Sequence, residues 1–363
     1  MSATITEQRL HSFDEAEFLR RIPYRLERTN LPGAYSTLAP ESDDYDPHTV
    51  PPSELVRHGL IMPRPDAATQ PRLRAAWDKV FGRKWLARDR VTGPIVPQPG
   101  ITHHLWRLPV RQEDGTFLGG AWSGAGTRSP SGTWTGIVGF WDVPTVSEPS
   151  EPQGTEGGWN SSSWIGIDGF FNSNDVLQAG VQQKVDAHGN ATYVAWYEWV
   201  VPPPASVPPG TPVDANGYPL AWVGSPNGQY QYIYQANIPG FTVKPGQQVY
   251  CSAQYNAGKT AGLIYFANET TGQTFQQTLA PPPGASFSGQ SVEWIMEAPD
   301  GGEPRSALPK FTPVTFTSAL ACGANNALAD PSTGDTMNIE TSGGKVLTSV
   351  TTGKDTTTIS FIG

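Results

Sequence analysis

The order of apolar and polar positions divides this chain into two parts with different periods. Through residue 117 the period is helical. Ser12 and Glu15 read as a capping box ahead of Phe18, Leu19 and Ile22, and Pro23 stops the run. Between Pro71 and Arg90, Leu73, Trp77, Val80, Phe81 and Trp85 recur at helical spacing beside Arg72, Arg74, Lys79, Arg83, Lys84, Arg88 and Arg90. That spacing predicts a basic amphipathic helix. Residues 30–70, rich in Pro, Asp and Ser, read as extended linker.

A Gly/Ser-rich run over residues 119–132 marks a boundary, and beyond it the period shortens to two. Short β-rich runs cover 133–143, 163–167, 176–185, 191–200, 229–236, 248–255, 262–268, 274–279, 292–297, 314–320, 336–340 and, in two pieces, 345–361. About a dozen strands with no helical pattern between them predict an all-β, antiparallel two-sheet β-sandwich. The expected division is a smaller, partly helical region over 1–117 and a β-sandwich over 118–363. The Pro-rich stretch 201–219 reads as an exposed loop.

Composition supports the β reading: 39 Gly, 35 Pro and 12 Trp accompany only 16% charged residues. Charge is uneven. Residues 1–117 hold 16 Lys+Arg against 15 Asp+Glu, net +1, whereas the remainder holds 8 against 18, net −10. A nucleic-acid partner is therefore not expected, because the body has the wrong sign. The basic helix is instead expected to dock on the acidic body as an intramolecular inhibitor. No run of 18 apolar residues occurs, so no membrane span is expected. Glu7, Asp14, Glu15 and Glu17 stand where a secretory leader needs an apolar segment, so none is expected. The two cysteines, Cys251 and Cys322, rule out a disulfide-rich scaffold or a cysteine metal cluster, and leave their pairing open. Five of the six histidines precede residue 105.

Strand parity gathers a set of polar and aromatic side chains. Residues 186–190 are a hairpin turn by composition. If the turn is symmetric about His188, Gln178 lies opposite Glu198 and Gly180 opposite Trp196. Leu177, Ala179 and Val181 then face inward. Trp164, Gly166 and Asp168 share one face of their strand, and Glu293 lies opposite the apolar face of Val292, Trp294 and Met296. One sheet face would thus present Trp164, Asp168, Gln178, Trp196, Glu198 and Glu293. His188 has no visible partner for Ser or Cys nucleophile chemistry, and no HExxH, CxxC, or Asp-Thr-Gly or Asp-Ser-Gly pair occurs. What remains is a carboxylate acting on water or on a glycosidic bond.

Four ordered motifs sharpen this: Trp164-Ile165-Gly166-Ile167-Asp168-Gly169, Leu177-Gln178-Ala179-Gly180, Trp196-Tyr197-Glu198-Trp199 and Val292-Glu293-Trp294-Ile295-Met296-Glu297. Together they resemble the signatures of the glutamic peptidases, or eqolisins. Trp122-Ser123-Gly124, the run from Phe241 to Gly246 and Leu308-Pro309-Lys310-Phe311 add to the likeness, which covers residues 119–363. The resemblance implies a concanavalin-like sandwich that hydrolyses proteins at acid pH without metal or cofactor. It implies Gln178 and Glu293 as the catalytic dyad, with Trp164, Asp168, Gly180, Trp196 and Glu198 binding substrate or supporting the dyad. It further implies polypeptide substrates, a self-processing zymogen inhibited by its own N-terminal segment, monomeric action, and an extracellular or acidic location. Processing is expected in the polar run 111–120. The rival enzyme is a β-sandwich glycoside hydrolase using Glu198 and Glu293, and a lectin is the non-enzymatic alternative. Glycosidase chemistry has no essential place for Gln178, whereas peptidase chemistry does.

Overall fold

A computed structural model describes the chain apart from residues 1–12, 41, 43–44, 59–63, 83–86, 104–109, 114, 151–157, 172, 174, 224–229, 300–306 and 342. Two ten-stranded sheets pack face to face. The front sheet runs Val96–Pro97, Ala236–Asn237, Ala191–Val200, Val176–Val185, Trp159–Asp168, Ser291–Glu297, Trp122–Arg128, Asp335–Ile339, Phe117–Gly120, Val110–Arg111. The rear sheet runs Leu26–Arg28, Ala34–Thr37, Thr274–Leu279, Gly262–Asn268, Gln248–Tyr255, Trp134–Asp142, Val314–Gly323, Thr356–Phe361, Thr348–Gly353, with Leu328–Ala329 beside Val314–Gly323. Pairing is antiparallel except between Asp335–Ile339 and Phe117–Gly120.

Alternation along the strands builds the core. Leu177, Ala179 and Val181, with Val292, Trp294 and Met296, project between the sheets as expected and are fully buried. There they meet Ile137, Trp141, Cys251, Ala253 and Phe316 of the rear sheet. Two indoles also tie the sheets by hydrogen bonds: Trp294 Nε1 donates to the Val138 carbonyl at 3.0 Å, and Trp141 Nε1 to the Ser163 hydroxyl at 3.0 Å. Both cysteines are free.

The boundary region differs from expectation. The Gly/Ser-rich run read as a boundary holds a strand that was not expected: Trp122–Arg128 pairs along its whole length with Ser291–Glu297. Residues 30–70 likewise include a buried strand, Ala34–Thr37, that extends the rear sheet, and a short helix, Pro52–Arg57. The run 229–236 is mostly a 3-10 turn, Gln231–Ile233, followed by the two-residue strand Ala236–Asn237. Processing was expected in a free chain, yet Val110–Arg111 and Phe117–Gly120 form a hairpin there. The first helix, Glu15–Arg21, is capped by Asp14, whose side chain accepts from Glu17 N; Ser12 lies outside the described residues.

The basic helix spans Pro71–Phe81, and Arg83, Lys84 and Trp85 lie outside the described residues. Its apolar stripe, Leu73, Trp77, Val80 and Phe81, packs on Val138, Phe140, Tyr250, Tyr265 and Leu320 of the rear sheet's outer face. This corrects the expected inhibitory docking by this helix, because that face is on the far side of the sandwich from Glu293. Burial of the stripe, rather than net charge, decides where it sits.

Candidate active site

The site is a row across the front sheet. Glu198 pairs with Gln178, Gln178 with Gly166, and Gly166 with Glu293, which pairs in turn with Gly126. The hairpin register is the one the symmetric turn predicts, with Gly180 opposite Trp196. At an interstrand spacing of about 4.8 Å, the Gln178 and Glu293 Cα atoms stand roughly 10 Å apart with only Gly166 between them. Gly166 has no side chain to separate them. Gln178 Nε2 donates to Glu198 Oε2 at 3.2 Å, which fixes the amide's orientation.

The next row holds Trp196, Gly180, Trp164 and Ile295. A Cβ at Gly180 would fall 2.3 Å from the Ser163 carbonyl oxygen and 2.4 Å from Trp164 Cβ, so only glycine fits beneath the two indoles. Trp196 Nε1 reaches across it to the Ser162 hydroxyl at 2.8 Å, and Trp164 Nε1 donates to Glu297 Oε2 at 2.8 Å. Trp164, Trp196 and Ile295 join Phe117, Trp122, Phe170 and Met337 in an apolar cluster of their own on this face.

Asp168 takes a different position. Its φ of 70° ends the strand's alternation, and its carboxylate accepts from Tyr255 Oη at 2.8 Å, Ser288 Oγ at 2.6 Å and the Gly289 and Gln290 N–H groups at 2.8 Å each. It therefore anchors the loop entering the Glu293 strand instead of sharing the open face with Gln178. Asp175 assists by accepting from Trp199 Nε1 at 3.0 Å and Ser286 N at 3.1 Å.

Glu293 is wholly buried, and neither carboxylate oxygen has a hydrogen-bond partner among the described residues; the same holds for Gln178 Oε1. Burial pushes the Glu293 carboxyl well above the usual carboxylate range; the Ser291 hydroxyl opposes this and the charge of Asp168 adds to it. Burial also raises Glu198, to about 8, against the pull of His103.

Sequence reasoning missed the group that occupies this face. His103 stacks on Trp196 with ring centroids 4.1 Å apart, and its Nδ1 lies 2.6 Å from Glu297 Oε2 and its Nε2 2.9 Å from Gln235 Oε1. The flanking described residues stand at opposite edges of the front sheet, Val96–Pro97 at one and Val110–Arg111 at the other. The crowding of histidines before residue 105 was the one available signal.

Comparison with known proteins decides the family. The family model described as the peptidase A4 family matches residues 120–361. The chain belongs to the peptidase A4 family. Aspergillopepsin-2 from Aspergillus niger is 27% identical over 242 residues, 63% of this chain and 73% of that protein. Scytalidopepsin B from Scytalidium lignicola is 25% identical over 158 residues, 43% of this chain and 47% of that protein. Among solved structures, scytalido-glutamic peptidase with a transition state analog inhibitor superposes with TM-score 0.50 at 19% identity, covering 67% of this chain and 98% of that one, which shows a shared fold. This A4 peptidase is a glutamic endopeptidase, and the glycosidase alternative is not favoured. Among the described residues no His/Cys/Asp/Glu group could hold a metal ion, and no helix is long and apolar enough to cross a membrane.

Proposed function

We propose that this peptidase hydrolyses polypeptides at acid pH through Glu293 and Gln178. The observation that carries the reading is the row Glu198, Gln178, Gly166, Glu293, which sets one carboxyl and one neutral amide on the two sides of a single glycine. Ionised Glu293 takes a proton from water as its oxygen bonds to the scissile carbonyl carbon. The Gln178 amide donates to the oxyanion that forms, and Glu198 holds that amide in place. Glu293, now protonated, returns the proton to the leaving nitrogen as the C–N bond breaks, releasing an acid and an amine. A carboxyl of ordinary pKa, about 4, gives and takes protons most readily in mildly acidic solution.

Residues 1–117 act as the inhibitory region and 118–363 as the working body in this reading. The closed form supports it. A wholly buried Glu293 is out of reach of water and substrate, so the face has to open before it can serve as a base. Self-cleavage then makes release permanent. A glycosidase pairing Glu198 with Glu293 fits less well. Three interstrand steps, roughly 14 Å between Cα atoms, separate them, and Gln178 lies between.

Glu293→Gln and Gln178→Ala test the dyad. Each is expected to lower kcat/KM on an acid-denatured protein by about 10³-fold or more with the fold retained by circular dichroism. Near wild-type activity in folded Glu293→Gln would sink the assignment. So would undiminished self-trimming.

A further inference from the structure

The pocket that holds His103 is a built recognition site, and its hydrogen bonds specify the charge of what it holds. Gln235 Nε2 donates both to Gln182 Oε1 at 2.9 Å and to Asn237 Oδ1 at 2.7 Å, so both amide protons are spent. Gln182 is itself oriented by donating to Asn160 Oδ1 at 2.9 Å. Gln235 Oε1 is thereby fixed as an acceptor facing the occupant's Nε2 at 2.9 Å. On the other side Nδ1 meets the Glu297 carboxylate, already steadied by the Trp164 indole N–H. Both ring nitrogens face acceptors, and only an imidazolium donates from both. The second carboxyl of the pocket, Glu198, lies 3.9 Å from Nε2, and Trp196 stacks beneath the ring.

The occupant also arrives as a substrate would. Just before His103, Val96–Pro97 adds to the edge strand Ala236–Asn237, and Gln98 N donates to the Gln235 carbonyl at 2.8 Å. An extended peptide is thus held by backbone hydrogen bonds while one side chain fills a pocket beside the catalytic row.

We propose that Trp196, Gln235, Glu297 and Glu198 form a substrate subsite selective for the protonated histidine side chain, and that His103 occupies it in cis until the segment is released. The proposal rests on the peptidase reading of the same face. A flat cation with two opposed donors satisfies the site; a neutral or aliphatic side chain takes the Nδ1 donor away from Glu297 Oε2 and the Nε2 donor away from Gln235 Oε1 in a buried pocket. A lysine ammonium would meet the carboxylates but has no plane to lay on Trp196.

Two experiments test this separately from the dyad. The first needs no turnover. In the full-length chain carrying Glu293→Gln to block self-cleavage, His103→Gly opens the pocket. Added imidazole at about pH 5.5, where it is protonated, should raise Tm in a saturable way, while neutral pyrazole should not. Adding Glu297→Gln should remove the effect. Equal responses to imidazole and pyrazole, or none from either, would overturn the proposal.

The second uses wild-type chain after acid incubation on a mixed peptide library, and so remains informative if the His103→Gly variant does not fold. Cleaved peptides should be enriched about 10- to 100-fold for histidine at one fixed distance from the cut bond. Cleavage without that enrichment overturns the subsite and leaves the dyad standing. Absence of any cleavage counts instead against the peptidase reading, while the imidazole result still decides the pocket.

Discussion

Two of the contacts that fasten the N-terminal region to the sandwich differ in kind. At the rear, the helix Pro71–Phe81 buries Leu73, Trp77, Val80 and Phe81 against the outer face of one sheet. At the front, His103 enters a polar pocket on the other sheet. The rear joint is held mainly by apolar area, which does not titrate, whereas the front joint is held by charge and proton count. Stability and the proposed inhibition thus fall to different residues. Positive charge in the sequence pointed to the wrong one.

The largest effect should come from the rear. Trp77 is fully buried, its ring centroid 4.8 Å from that of Phe81, so Trp77→Ala leaves a cavity the helix cannot refill. A loss of about 3–5 kcal/mol is expected in denaturant unfolding of full-length protein, similar at acid and neutral pH. If that loss changes strongly with pH, the rear joint is not the apolar one described here.

The next effect belongs to the front and depends on pH. His103 is raised to about 9: burial opposes the charge, but Glu297 and Glu198 outweigh it. A raised histidine contributes stability that is fully present below its ordinary value near 6.5 and is lost as pH climbs through about 9. Glu198, raised to about 8 by burial, acts in the same direction, since keeping it closed becomes costlier as pH rises from the ordinary carboxylate range toward 8. The closed form should therefore be tightest in acid and loosen progressively, from the ordinary carboxylate value of 4.5 through Glu198 and from 6.5 through His103, up to about pH 9. NMR of labelled histidine should show His103 still protonated at about pH 8 in Glu293→Gln protein. A neutral ring at that pH would break the comparison. By the same signs, acid does not open the front joint through these groups.

Much of the front sheet was legible because its rules are local. A five-residue turn set the register of two strands, and a period of two separated the core side of Val176–Val185 from the Gln178 side. What escaped depended on partners distant in sequence. His103 meets Glu297, 194 residues away, and Gln235, 132 away, and neither contact leaves a period to detect. Trp122–Arg128 escaped because its glycines read as a boundary and not as a strand. Gly124 has φ 150°, and a Cβ there would sit 2.1 Å from the Trp294 carbonyl oxygen, so the residue that hides the strand is required by its neighbour. Asp168 shared a face with Trp164 only by parity. A single positive φ was enough to turn it elsewhere.

The smallest effect sharpens the comparison from the rear side. Arg72, at the start of the helix, pairs with both Asp330 and Asp355, and its Nε donates to Asp355 Oδ2 at 3.2 Å. This is a charged element in a joint held mainly by apolar area. Arg72 and Asp355 are each 29% exposed at the side chain, so solvent and salt screen the pair. Arg72→Ala is expected to cost about 1 kcal/mol or less, and less still in high salt. Its pH dependence runs opposite to the front joint. Burial would raise Asp330, yet the Ser332 and Arg72 hydrogen bonds hold it below the usual carboxylate range. A depressed carboxylate contributes stability present above its unfolded value near about 4 and lost as pH falls through the folded one. Wild type and Arg72→Ala should therefore differ in unfolding midpoint at neutral pH and converge in strong acid, once Asp330 is protonated in the folded state. A difference that persists undiminished in strong acid would mean that the arginine acts through its packed stem and not through the ion pair.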